Sequence, residues 1–491
     1  MRDNDFSRRT MLRGMAGLAA AWLPASTVIL RPAAAHISAD QRELKPEKPW
    51  NFPYHQTLVL KLFLAQKVPP AGSRTYLTFE QALDAIRRID NLTRTIPKIV
   101  YVVGWQFDGH DSKYPSWAEV NPRLRRPQDR SAVDGLKWLM NEGFKYHTTV
   151  SLHINMMDAY PDSPLWDTYV RNDLLCKEKD GSLKRGGIWD GQQAYLVNYT
   201  NEWNAGFAQR RIDALLDLLP LQKAGTIHID AFHSVESPGH GMTSEDAAKT
   251  QRKVFRYWKD RGMDVTSEMV YHPDHFIGLQ PMAWNFQFTL REYMDIPASL
   301  FCGGTDAGEG GSLFGTSMTA EGRVREDPEK MTGLLQDFCL QALPWYYLNR
   351  HGRLRVVLST DLSEATLSDG LVVRLYRDRR YTIEHNGWLL REGDNVFVPA
   401  LWLKNKELIA YSADGYEQKT WQLPPDWKGV RKVAISEITM AGNQKLASIP
   451  VHSHHLSLSL HAGQAVSIVP VDTGEMGRSG NIETEDTSNP A

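Results

Sequence analysis

Residues 226–268 decide the fold: Thr226-Ile-His-Ile-Asp-Ala-Phe232, a polar connection, a helix-patterned segment from Thr243 to Gly262, then Asp264-Val-Thr-Ser-Glu268. The two outer runs are apolar and of strand length. The segment between them turns Val254, Phe255 and Trp258 to one face, and Gly262 supplies a C-cap. A strand, a helix and a second strand within this distance form a crossover unit, whose strands lie parallel.

The same alternation extends outward in both directions. Upstream, Thr57-Leu-Val-Leu-Lys-Leu-Phe-Leu64 reads as a buried parallel strand. Thr78 precedes Gln81 at capping-box spacing and opens a helix. Lys98-Ile-Val-Tyr-Val-Val-Gly-Trp105 is the next strand, Ser131 starts a second helix, and His147-Thr-Thr-Val-Ser-Leu-His-Ile-Asn155 is the third strand. Asn201 to Leu219 reads as one helix closed by Pro220. Downstream, Pro281–Phe286 and Ala298–Cys302 are candidate strands, and Pro328–Leu343 a further helix. The repeating order predicts an α/β fold of the (β/α)8 TIM type over residues 36–350. A doubly wound sheet is the alternative, but no Gly-x-Gly-x-x-Gly follows the first strand. After residue 350, short alternating runs separated by turn residues predict a C-terminal antiparallel β-sandwich over 351–471. Residues 472–491 are polar and acidic and read as a disordered tail.

Residues 1–35 read as an address. Ser7-Arg8-Arg9-Thr10-Met11-Leu12-Arg13 precedes an apolar run and Ala33-Ala34-Ala35, the pattern of a twin-arginine signal peptide with a cleavage site. The expected destination is the periplasm or the extracellular space of a bacterium, with no membrane association after signal removal. Apolar residues make up 42% of the 491 and charged residues 23%, which excludes disordered and fibrous classes. A formal charge of −2 argues against nucleic acid as a partner. Three scattered cysteines build no disulfide framework. Fifteen tryptophans are a surplus that asks for a reason.

Polar residues gather where strands end, the rim at which a barrel places its site. Asp230 and Glu268 close consecutive strands, and neighbouring strands lie about 4.8 Å apart. Two carboxylates so placed suit a retaining glycosidase, one attacking the anomeric carbon and the other giving and taking a proton. Their mutual field helps to raise the pKa of one of them. Asp108, His110, Asp111, His153, Asn155, His233 and His272 supply groups for sugar hydroxyls. Trp105, Trp189 and Trp284 are candidate faces for a sugar ring. Trp138 and Trp258 lie on helix stripes and read as core, and His228 as a satisfied core histidine one layer below Asp230. A metal-dependent hydrolase is a competing reading, because His153, Asn155, His228, Asp230 and His233 include possible ligands. Among these residues the close pairs are His-x-Asn and His-x-Asp rather than His-x-His, and no His-Glu-x-x-His helix is present, so no metal and no other cofactor is expected. A non-catalytic glycan-binding protein on a barrel scaffold is a third reading.

The stretch Val102-Val-Gly-Trp-Gln-Phe-Asp-Gly-His-Asp-Ser-Lys-Tyr-Pro115, with His153-Ile-Asn155, Thr226–Phe232 and Val265-Thr-Ser-Glu268, resembles the catalytic region of glycoside hydrolase family 101, the endo-α-N-acetylgalactosaminidases. The resemblance covers roughly residues 56–350. It implies a retaining reaction on α-linked N-acetylgalactosaminides, such as release of Gal-β-1,3-GalNAc from O-glycosylated proteins. It also implies Asp230 as nucleophile and Glu268 as acid/base. Typical members are much larger, multi-domain proteins, so another α-linked galactosaminide or galactoside stands as an alternative substrate.

Overall fold

The structure is a computed structural model that describes residues 45–68, 72–268, 276–284, 286, 288–303, 313–317 and 320–471. The expected signal peptide, the tail and His272 lie outside the described residues.

Seven parallel strands form one sheet in chain order: β1 (Leu58–Phe63), β2 (Lys98–Val103), β3 (Thr148–Asn155), β4 (Thr226–Asp230), β5 (Asp264–Glu268), β6 (Met282–Trp284) and β7 (Cys302–Gly303). Sequential order with helical crossovers is the wall of a TIM-like barrel. The first three strands are buried along their whole length, as continuous apolar runs require when both faces are covered. Eight strands were expected; among the described residues there are seven, and the short helix Ala320–Glu326 packs directly against β1. The sixth and seventh strands are shorter than the apolar runs suggested, since residues 298–301 form a turn before Cys302.

The helices begin where side chains can satisfy their first amides. Helix α1 (Phe79–Leu92) has a complete capping box: Gln81 N–H donates to Thr78 Oγ1 and Thr78 N–H donates to Gln81 Oε1. Ser131 with Asp134 caps α2 (Ala132–Glu142) in the same way. The single helix expected over 201–219 is two, α3 (Tyr199–Asn204) and α4 (Phe207–Leu218). Gly206 separates them at φ 74°, left-handed backbone that a helix cannot continue through. Thr243 and Asp246 box the start of α5 (Ser244–Asp260). The expected helix over 328–343 is instead three short helical segments between Leu334 and Leu348, the middle one a wide turn over Phe338–Ala342.

The C-terminal part is antiparallel, as expected, but its layers are unequal. Ten strands make one sheet from Arg353–Leu358 to Gly442–Pro450, with Gln464–Pro470 inserted between Leu408–Ser412 and Lys432–Thr439. A separate ribbon, Tyr416–Gln422 with His455–Leu460, covers it. Trp421 of the ribbon stacks on Phe397 of the sheet at 5.0 Å, and Trp388 Nε1–H donates to Gln422 O at 2.9 Å. The antiparallel part also grips the barrel. Arg94, just past α1, makes a two-pronged pair with Glu407 at 2.6 and 3.0 Å, and Trp402 Nε1–H donates to Arg94 O. Two-pronged guanidinium–carboxylate pairs are the directional kind.

His55, in the turn before β1, is half-buried near this junction. Burial first, and then the Arg350 and Arg353 charges, lower its pKa to about 4. A lowered histidine pKa means that the unfolded chain takes up the proton first. Stability is therefore full above pH 6.5 and falls as the pH drops toward 4. Between pH 7 and pH 5, His55 should contribute on the order of 1 kcal/mol to the loss read from urea midpoints, and His55→Gln should reduce the loss by that much. Thr78→Ala removes the α1 capping box and should cost about 1 kcal/mol at any pH in the same measurement.

Candidate active site

The barrel interior is polar from floor to rim. At the floor, Tyr54 and Tyr101 hydroxyls both reach Thr226 Oγ1, at 2.7 and 2.6 Å. One layer up, His228 Nδ1 lies 3.0 Å from Thr266 Oγ1, and its ring packs against Trp284 at 4.5 Å. At the rim, Asn155, Asp230 and Glu268 end β3, β4 and β5. Asn155 is directly opposite Asp230, and the pairing of Ser267 with Ile229 brings Glu268 level with Asp230 one residue on.

Asp230 is 1% exposed. Asn155 Nδ2–H donates to its Oδ2 at 3.4 Å, His110 Nε2 lies 3.6 Å from the same oxygen, and His153 Nε2 lies 3.7 Å from Oδ1. Asn155 is itself fixed: its Oδ1 accepts from the Met157 and Asp158 amides, and its Nδ2–H also donates to Asp158 at 2.8 Å. Burial holds the His153 pKa well below the ordinary histidine value against the attraction of Asp230, so the ring is neutral at physiological pH. Directly after Asp230 the backbone turns through Ala231 at φ 44°, and His233 folds back with its Nδ1 3.1 Å from Ala231 O. Burial lowers the His233 pKa as well.

His110 reaches the site by a backbone device. Gly104 and Gly109 adopt φ 74° and 121°, and a Cβ on either would collide with the Ala65 backbone, at 1.8 Å for Gly104. The two glycines let the loop lie flat on the strand-like segment Ala65–Lys67, where His110 N–H donates to Ala65 O at 2.9 Å. Asp111 Oδ2 then lies 3.0 Å from His110 Nδ1, which turns Nε2 toward Asp230. Asp108 does not join this group. It pairs outward with Arg123 at 3.1 Å and Lys113 at 3.6 Å, and so braces the loop.

The tryptophans are placed differently from the expectation. Trp105 is 0% exposed, and its Nε1–H donates to His153 O at 3.0 Å, so it packs behind β3 and steadies the His153 backbone. Trp284 does line the site, but its ring is covered by Tyr101, His228 and the Lys61 ammonium, 4.8 Å from its centroid. Neither offers a free face in this structure. Trp189 sits half-buried on the antiparallel segment Arg185–Trp189, part of a small three-stranded sheet. Trp258 is core, as expected, and Arg126 covers the Trp138 ring at 3.6 Å.

Two residues of the site were missed or undervalued. His228, expected to be plain core, lies with Nε2 3.6 Å from Glu268 Oε1. Lys61, in the middle of β1, bonds Glu268 Oε1 across the barrel interior and lies 3.7 Å from Glu321 Oε2. Burial opposes charge on Glu268, but the Lys61 ammonium and the His228 contact together hold its carboxyl well below the usual carboxylate range. The expected effect of Asp230, to raise that pKa, is present and outweighed. The signal for Lys61 was a single charge inside an apolar run that must be buried on both faces.

Ligand-type atoms of His110, His153 and Asp230, and of His153, His228 and Glu268, come within 4.8 Å of one another. The second trio already has its cation in Lys61. In the first, the two imidazoles flank Asp230 at 3.6 and 3.7 Å.

Comparison with known proteins bears on the stretch that holds this site. Residues 52–283 match the family described as Endo-alpha-N-acetylgalactosaminidase, Glyco_hydro_101. A protein of Renibacterium salmoninarum, provisionally named an endo-alpha-N-acetylgalactosaminidase, is 23% identical over 421 residues, 80% of this chain. The chain spans 25% of the length of that curated relative. Among solved structures, the ligand-free alpha-N-acetylgalactosaminidase NagBb from Bifidobacterium bifidum superposes with a TM-score of 0.51 at 14% identity, covering 67% of this chain and 57% of that one. Its Gal-NHAc-DNJ complex gives 0.52 over 67% of this chain and 58% of that one, again at 14% identity. At that identity the likeness is one of fold. The family match takes in β1 to β5 with both rim carboxylates, and residues 52–283 of this chain are a glycoside hydrolase family 101 domain.

Proposed function

We propose that this chain is an exported retaining glycoside hydrolase that cleaves α-linked N-acetylgalactosaminide or galactoside bonds, including those of O-glycans. The observation that carries the reading is Asp230: a buried carboxylate at the C-terminal end of β4, held by Asn155 and two imidazoles, with Glu268 level with it on β5. Support for the sugar class comes from the family match and from a fold shared with a protein named an alpha-N-acetylgalactosaminidase.

In this reading Asp230 attacks the anomeric carbon and forms a glycosyl ester. Glu268 donates a proton to the departing oxygen, then removes one from the water that opens the ester. Asn155, His110 and His153 orient Asp230 and reach sugar hydroxyls beside it, with His233 and His272 further candidates. Asp111 keeps His110 turned inward. Residues 1–35 supply the export address, and the substrate partner is a carbohydrate.

The test is a panel of α-linked aryl glycosides of GalNAc, Gal and Gal-β-1,3-GalNAc. Asp230→Ala should fall to background on every substrate the wild type cleaves; near wild-type turnover ends the nucleophile assignment. Glu268→Ala should lose about 10²–10⁴-fold on poor leaving groups and recover with azide. A Glu268→Ala rate equal to wild type without azide removes its role. Asn155→Ala should lower kcat/KM by roughly 10–100-fold, the worth of a hydrogen bond to a buried charge. A chelator should leave the rate unchanged, and abolition by chelation would favour the metal-dependent reading instead.

A further inference from the structure

The reaction proposed above asks two incompatible things of Glu268. It must carry a proton when the leaving oxygen departs and be ionised when water attacks. The free protein shows one of these states: the Lys61 ammonium is bonded to Glu268, with both side chains nearly buried at 5% and 12% exposure. An ammonium so close stabilises the carboxylate and opposes its protonation. An enzyme left in this state would lack its general acid.

The same ammonium has a second anion within reach. Glu321, on the helix Ala320–Glu326 packed against β1, holds Oε2 3.7 Å from Lys61 Nζ, and its side chain is 20% exposed. A lysine hangs on four rotatable bonds and can swing this far without leaving the face of Trp284, which it covers at 4.8 Å. Glu268 does not lose its place when Lys61 leaves, because His228 lies 3.6 Å from Oε1 on the other side. The groups that face Glu268 are Lys61 from β1, His153 from β3, and His228 and Asp230 from β4, with Glu321 behind the lysine. Among the described residues that face Glu268, only Lys61 is placed to exchange between two carboxylates.

We propose that Lys61 is a positioning residue that moves between Glu268 and Glu321 and thereby sets which form of Glu268 is present. Seated on Glu321, it frees Glu268 to take up a proton from solvent hydronium, leaving water, and act as the acid. Seated on Glu268, it holds the carboxylate that removes a proton from the attacking water. Lys61 keeps its three protons throughout, and the proton gained by Glu268 is the one given to the departing oxygen. This rests on the acid/base reading of Glu268.

The experiment is the pH profile of kcat/KM on an aryl glycoside with a poor leaving group and on one with a strongly activated leaving group. Lys61→Met removes the cation, so Glu268 keeps its proton to higher pH. The alkaline limb should move up by roughly 1–3 pH units. Glu321→Gln removes the alternative seat, so Lys61 stays on Glu268 and the limb should move down. Both shifts should appear on the poor leaving group and vanish on the activated one, which needs no protonation. Glu321 is partly exposed and the change is conservative, so this arm stands if Lys61→Met does not fold. Limbs that stay at the wild-type position, or that move the same way in both variants, overturn the proposal. Glu268→Ala with azide is run alongside: if it behaves as an acid/base variant while the limbs stay still, the exchange falls alone. If Glu268→Ala retains full activity on poor leaving groups, the underlying assignment falls with it.

Discussion

A buried ammonium must be answered by a carboxylate, and in this barrel the answer comes from across the interior. Lys61 sits in a strand with no exposed residue, where an uncompensated charge is penalised by several kcal/mol. Glu268, on the fifth strand of the wall, is its partner. The pair joins strands that are not neighbours in the sheet, so it forms only when the wall has curled far enough to bring β1 and β5 face to face. Trp284 fills the space beside the pair, and Tyr101 and His228 pack against that ring in turn. The packing of the interior and the state of a site carboxylate thus depend on one contact.

Asp230 is treated differently by its surroundings. An amide and two imidazoles flank it, one of them kept neutral by burial, whereas Glu268 bonds the Lys61 ammonium directly. Neutral donors hold a carboxylate in place without quenching its charge as an ammonium does. Two acids of the same rim therefore sit in unlike environments, the arrangement by which one fold keeps two carboxylates in separate roles.

Reading outward from the strand ends located most of this site, for a physical reason. Side chains alternate along a strand, so the last inward residue of each parallel strand lands at one rim whatever the loops do. That rule predicts the shared rim at which Asp230, Glu268, Asn155 and His153 lie in the structure. It failed for Trp105 and Asp108, which follow β2 rather than end it. Past the last paired residue the chain direction is set by Gly104 and Gly109 pressing on the Ala65 backbone, and that contact is long-range. It turns His110 inward, Trp105 behind β3 and Asp108 outward. His228 was underrated because its partner, Glu268, comes from another strand.

What the linear pattern determined by itself is the alternation of strands and helices, the change to antiparallel texture after residue 350, and the helix starts where Thr78 and Ser131 meet their own third residues. Each of these depends on interactions a few residues apart or on periodicity, which are written in order along the chain. The tertiary structure alone decided which charges meet. Lys61 and Glu268 are 207 residues apart, and Arg94 and Glu407 are 313 apart. Nothing in either local segment names its partner, because an ion pair is selected by the closed three-dimensional path of the chain and by the low dielectric that path creates.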